Sequence, residues 1–237
     1  MARPLLSTVR SLLRQMPMRL IACPAVLAAA MMFPAWALAS PLGNEPQVEC
    51  TGPDSQGIRK CHAGLDADAV SRIQVSQQRS QWCWAASVSM LLSFHGMTVA
   101  QEQIVTERYG QPDDLPAASA QDMTQALLRT RASQGSTAVK VSTRTAESSA
   151  GLHVNNLLVL AELLAQRPML VGRAAHAMVL VHVRYERFPN GAVRVVEGTV
   201  IDPAPGLGVR NLAPHEMRLS YLAAVQPDTS GDSILQQ

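Results

Sequence analysis

Apolar side chains fill nearly every face of the stretch from Cys83 to His95, where Ala85, Ala86, Val88, Met90, Leu91 and Leu92 leave almost no polar stripe. A helix apolar around most of its circumference belongs inside a domain, so this one is expected to be buried, with Gly96 as its stop. A second helix is expected over about 99–109, ahead of the turn-like Gly110-Gln111-Pro112-Asp113-Asp114, and a third from near Ser119, where Ser119-Ala120-Gln121-Asp122 offers a cap. Leu157, Leu158, Leu160, Leu163 and Leu164 fall at helical spacing and place a fourth over Asn155 to Gln166. After Pro168 the period changes: Met169 to Gly172, Ala177 to Arg187 and Ala192 to Ile201 are rich in Val, Leu and Ile and read as strands. Residues 133–151 are small and polar, with one expected strand, Val139 to Thr145. Residues 40–71, rich in Gly, Pro, Asp and Ser, are expected to form an irregular extension. Helices first and sheet last is an α+β pattern. The domain is expected over residues 72–228, with a tail at 229–237.

The first 39 residues differ from the rest. Arg3, Arg10, Arg14 and Arg19 are their only charges, an apolar run begins at Leu20, and Ala37-Leu38-Ala39 precedes Ser40. A basic segment, an apolar core and an A-x-A site together read as a cleavable export signal, cut after Ala39. The alternative is a retained transmembrane helix; Pro24, Pro34 and the lack of a basic flank after the run argue against it. Met18 is an alternative start. Cys23 resembles a lipoprotein cysteine, but the apolar stretch follows it rather than precedes it. The expected destination is the periplasm or the exterior, with no stable membrane insertion after cleavage.

Charge and cysteine counts change with that cut. Removing the four arginines from 20 basic residues leaves 16 against 18 acidic ones, so no basic stripe remains to argue for nucleic acid. At 47% hydrophobic and 16% charged, the chain is neither disordered nor a coiled coil. The remaining cysteines are Cys50, Cys61 and Cys83, and an odd count in an oxidising compartment leaves one thiol to explain. Cys50 and Cys61 flank a stretch able to bend back on itself and are expected to pair, leaving Cys83 free; two unpaired thiols are the alternative.

Cys83 sits at the first turn of the expected buried helix, where the helix dipole and unpaired amides favour thiolate. Gln77, six residues earlier, could bring its side-chain amide to join the Cys83 N–H around a developing oxyanion. Gln78 and Gln81 are rival donors. Trp82 and Trp84 are expected as core or cleft wall.

The segment Gln77-x5-Cys83-Trp84-Ala85-Ala86 resembles the nucleophile motif of papain-like cysteine peptidases. More narrowly, it is similar to the bacterial branch holding plant-pathogen effector proteases and the double-glycine leader peptidases of bacteriocin exporters. The resemblance spans roughly residues 72–225 and is most specific at the cysteine. It implies a papain-like fold, with a helical part packed against a C-terminal antiparallel sheet and a peptide or protein substrate. It also implies His176, in Ala174-Ala175-His176-Ala177-Met178-Val179, as the base, and Asp202, in Val200-Ile201-Asp202-Pro203, as its orienting partner. The implied chemistry needs no metal or organic cofactor.

Local geometry bears on that pair. Pro189-Asn190-Gly191 suits a three-residue hairpin loop with Gly at the left-handed position. That register sets Met178 opposite Asp202 and puts His176 two residues along on the same face, within reach of a carboxylate. A two-residue Asn-Gly loop would turn Asp202 to the other face. Asp202 before Pro203 could also simply open a turn. His182 is expected to be packing or surface, and His62, His95, His153 and His215 have no zinc-like spacing. Three functions stay in view: an exported peptidase, a cell-wall peptide amidase with the same nucleophile, and a non-catalytic peptide-binding module.

Overall fold

The computed structural model describes residues 49–129 and 141–227. The expected signal segment and C-terminal tail lie outside the described residues. The elements run β1 (Arg59–Gly64), α1 (Ala67–Ile73), α2 (Cys83–Phe94), α3 (Gln101–Tyr109), α4 (Ala120–Arg129), β2 (Val141–His153), α5 (Leu157–Leu164), β3 (Met169–Arg173), β4 (His176–Arg187), β5 (Val193–Asp202), β6 (Gly208–Asn211) and β7 (Arg218–Pro227). The described strands form one antiparallel sheet in the order β2-β7-β3-β4-β5-β6, with β1 paired to the outer half of β4. This is the expected α+β arrangement of helices leading into a sheet.

Two apolar layers sandwich the sheet. On one face Leu170, Ala177, Val179, Val181, Ile201, Tyr221, Ala223 and Val225 pack against α1 to α4; on the other Met169, Val171, Met178, Leu180, Leu222 and Ala224 pack under α5. The alternation along β4 changes parity after Val181, because a bulge between Leu180 and His182 inserts one residue against β5. The helix carrying Cys83 is buried all round: Trp84, Ala85, Ala86, Val88, Met90, Leu91 and Leu92 are at most 1% exposed. Each of the larger side chains contributes about 1.5–3 kcal/mol by leaving water. Gly96 at φ 79° and Gly110 at φ 82° end α2 and α3 in the left-handed region.

The expected hairpin loop is present. Phe188 N–H donates to Ala192 O and Gly191 N–H to Phe188 O, both 2.9 Å, with Gly191 at φ 83°. Val179 then pairs with Ile201 and Leu180 with Val200, a register that runs on to Met178 opposite Asp202. A second bulge between Arg184 and Tyr185 cancels the first, so the loop-set register is restored at the Asp202 end.

Other expectations needed correction. The stretch expected to be irregular contains β1 and most of α1. The inward positions of β1 are Cys61 and Ala63, too small to produce a strong strand signal, and α1 is a short helix capped by Asp66, whose carboxylate accepts from Ala69 N–H at 2.6 Å. Strand β2 runs well past Thr145, held through main-chain pairing with β7 rather than by an apolar pattern; Val139 and Lys140 of the expected strand lie outside the described residues. β6 and β7 are not expected from the apolar pattern of the sequence. The fourth helix is shorter than expected, opening at Asn156, whose side chain accepts from Val159 N–H at 2.9 Å.

Cys50 and Cys61 form the expected disulfide, and Cys83 is free. The intervening chain folds back because Asp54 Oδ1 accepts from both Gln56 and Ile58 N–H, while Gly57 takes φ 76°.

Candidate active site

Cys83 is the first residue of α2, 9% exposed, behind Trp82 as the N-cap. No side chain caps this end and its first turn holds no acid, so the positive end of the helix is left to the sulfur. Both flanking tryptophans are pinned from the far side: Trp82 Nε1–H donates to Asp113 O at 2.9 Å and Trp84 Nε1–H to Leu115 O at 3.1 Å. Between those carbonyls, the Asp114 carboxylate accepts from Ser80 Oγ at 2.7 Å and Gln81 N–H at 2.8 Å. The 113–116 loop is thus latched to the segment that carries Cys83, and its Pro116 lines the cleft.

The Gln77 main chain is fixed on three sides. Its N–H donates to Pro203 O at 2.8 Å, while the buried Gln101 accepts from Gln78 N–H at 3.0 Å and donates to Ser76 O at 2.9 Å. Its side-chain amide does not stand free beside the sulfur. Gln77 Nε2 donates to Arg79 O at 2.9 Å and to Ser80 O at 2.8 Å, and Oε1 is buried without a partner among the described residues. The rival Gln81 is tied to Asp114 through its main chain.

From the sheet, His176 opens β4 directly after a two-residue turn in which Ala174 and Ala175 have φ 48° and 63°. Left-handed backbone costs a residue with a Cβ about 1–2 kcal/mol, and here the β3–β4 pairing holds it in place. His176 Nε2 lies 2.8 Å from Asp202 Oδ1. Asp202 ends β5, 1% exposed, and both readings of it hold at once: Oδ1 also accepts from Ala204 N–H at 3.0 Å, opening the turn. Oδ2 accepts from Arg210 Nε at 2.9 Å. All other donors to Asp202 are obligate, so the carboxylate is an acceptor, His176 Nε2 carries a proton, and Nδ1 is the nitrogen left for the thiol.

Arg210 was not anticipated. Its guanidinium also donates to Glu216 Oε2 at 2.8 Å and Oε1 at 2.9 Å. It reaches Asp202 because β6 pairs with the end of β5, Asp202 opposite Gly208 and Val200 opposite Arg210. The one clue in the sequence would have been an arginine two residues past a glycine following Asp202-Pro203.

The charges respond accordingly. The Asp202 and Cys83 hydrogen bonds hold His176 protonated up to about 9. Burial pushes the Cys83 thiol up, but hydrogen bonds from His176 and from the Ala177 and Trp84 main chain outweigh it and hold it below its ordinary value. Burial likewise pushes Asp202 up, and His176, Ala204 N–H and Arg210 together pull it lower. Glu216 falls to about 2, chiefly through Arg210. A thiolate–imidazolium pair is the form this site favours.

Cys83 and His176 open into a cleft of about 420 Å³, walled by Trp84, Pro116–Ala120, Met123 and the ends of β3 and β7. His182 lies elsewhere, its ring 5.3 Å from that of His62.

Among solved structures, the double-glycine-motif protease of an AMS/PCAT transporter, in complex with its leader peptide, is 16% identical, with a TM-score of 0.41 over 65% of this chain and 90% of that one. The peptidase domain of Streptococcus ComA, a bifunctional ABC transporter of a quorum-sensing pathway, is 14% identical, with a TM-score of 0.42 over 65% and 97%. No curated protein sequence matches the chain. Residues 65–211 match the family described as papain-like cysteine protease AvrRpt2. That match covers more than half of the chain and includes Cys83, His176 and Asp202, so the protein belongs to the AvrRpt2 family of papain-like cysteine proteases.

Proposed function

We propose that this cysteine peptidase is exported and cleaves peptide bonds through Cys83 as nucleophile, His176 as acid and base, and Asp202 as the group that orients His176. The Cys83 thiolate attacks the scissile carbonyl carbon, and negative charge moves to the carbonyl oxygen. The Cys83 N–H and one Gln77 N–H receive that charge, Gln77 giving up its bond to Arg79 O or Ser80 O as substrate binds. The tetrahedral adduct collapses as His176 Nδ1–H protonates the departing amine, leaving a thioester on Cys83. His176 then takes a proton from water, which attacks the thioester and releases the acid. Asp202, kept ionised and oriented by Arg210, holds the ring in one tautomer throughout.

The observation that carries this reading is His176 with its Nε2 2.8 Å from the buried Asp202 Oδ1, in a cleft that Cys83 and His176 line together. Export is supported by the basic-then-apolar N-terminus and by the Cys50–Cys61 disulfide, which persists outside a reducing cytoplasm. Protein beginning at Ser40 is expected to hydrolyse casein, and Cys83→Ala to abolish this. Faster turnover of purified muropeptides would favour an amidase instead. Iodoacetamide is expected to label Cys83 quickly in the wild type and slowly in His176→Ala; slow labelling indifferent to His176 would end the catalytic reading. N-terminal sequencing of the exported product should begin at Ser40.

A further inference from the structure

Once the thiolate and imidazolium cancel, the cleft still carries a positive charge. Arg173 ends β3, half-buried in the cleft wall, as the cross-strand partner of His176. Its Nε donates to Arg218 O at 3.1 Å, which steadies the side chain, and no carboxylate meets its guanidinium among the described residues. Arg108, Arg167, Arg184, Arg194 and Arg210 are each paired with Asp or Glu, and of the described arginines without such a partner Arg173 is the one that lines the cleft. Among the described residues no acid lines the cleft. Its other polar wall groups are engaged: Ser220 Oγ donates to Gly172 O at 3.0 Å and Ser119 Oγ accepts from Asp122 N–H at 3.2 Å. The rest of the wall is Trp84, Met123, Tyr221 and a run of alanines.

We propose that Arg173 is a specificity-determining residue that binds a carboxylate of the substrate beside the scissile bond. The inference rests on the peptidase reading above and adds a substrate class to it. A planar guanidinium held at one nitrogen presents its two terminal amino groups as a fork, the geometry that grips a carboxylate in two places. Such a carboxylate belongs to an Asp or Glu side chain or to the peptide's own C-terminus.

The test uses end-capped fluorogenic peptides carrying Glu or Gln at each position in turn, and a parallel set with free or amidated C-termini. At one position the wild type should cleave the Glu peptide about tenfold to a hundredfold better by kcat/KM than the Gln peptide, as expected for a charged hydrogen-bonded pair. If the free terminus alone gives this ratio, the carboxylate bound is terminal. The ratio should shrink with added salt, fall near one in Arg173→Met, and be partly kept in Arg173→Lys. Because it is a ratio, lower overall activity in a variant leaves it readable. No preference in either set, or a preference that survives Arg173→Met, overturns the proposal. Failure of the wild type to cleave any peptide of either set would instead count against the peptidase reading itself.

Discussion

The two walls of the cleft are held by different physics. On the Cys83 side the anchors are mainly main-chain carbonyls, Asp113 and Leu115 for the indoles and Ser76, Arg79 and Ser80 for the glutamines, with Asp114 the one carboxylate among the described residues. On the imidazole side the anchors are ions: Asp202, Arg210 and Glu216 follow His176 in an unbroken line. The sulfur is therefore placed by packing, and its charge is left to the helix end and the imidazole. The imidazole is placed and charged by the same chain of groups. Damage to the first wall should alter transition-state binding, while damage to the second should alter protonation.

The largest effect tests the junction. His176→Ala should lower kcat by about 10⁴-fold or more, because the base and leaving-group acid disappear together. Gln77 tests the nucleophile wall: Gln77→Ala should cost about 10²–10³-fold in kcat if an amide proton leaves its carbonyl for the oxyanion. A loss below about tenfold would mean that Arg79 and Ser80 keep both protons and the Cys83 N–H acts without it. On the other wall, Arg210→Met should lower kcat/KM by about tenfold to a hundredfold, the scale of a hydrogen bond to a charged group. Its signature is in the pH profile. Losing the cation raises the Asp202 pKa, so activity should fail at a higher pH on the acid side, and Arg210→Lys should restore part of the profile.

The wild-type profile carries its own sign. Activity should rise as Cys83 ionises, below the ordinary thiol range, and fall near pH 9 as His176 loses its proton. Asp202→Asn removes the carboxylate whose hydrogen bond, and after it whose charge, raises the imidazole, so the alkaline limb should move down toward 6.5. An unmoved limb would break the contrast between the walls. The smallest effect on catalysis belongs to a remote site: Cys50→Ala with Cys61→Ala should cost about 3 kcal/mol in denaturant melts while leaving kcat/KM unchanged.

The nucleophile wall was the more legible of the two in the sequence. An apolar helix, a cysteine at its start and a glycine stop are local features, and Gly191 fixed a hairpin register that brought His176 to Asp202 across 26 positions. Arg210 escaped notice because β6 is a four-residue edge strand with alternating half-buried and exposed positions, indistinguishable from a loop until it pairs with β5. Cys61 and Ala63 concealed β1 in the same way, since small inward residues leave little periodicity to read. The hold of the Arg79 and Ser80 carbonyls on Gln77 is a matter of loop geometry, and spacing alone carries no trace of it.

Ala174 and Ala175 make the connection before His176 with residues that resist its left-handed backbone. The imidazole's address is thus enforced by the neighbouring strands, against the preference of the turn itself. Ala174→Asn with Ala175→Gly would supply the residues such a turn prefers. A variant that melts higher yet turns over more slowly would identify the tension in that corner as something catalysis uses, and one that melts higher with full turnover would show it to be a tolerated flaw.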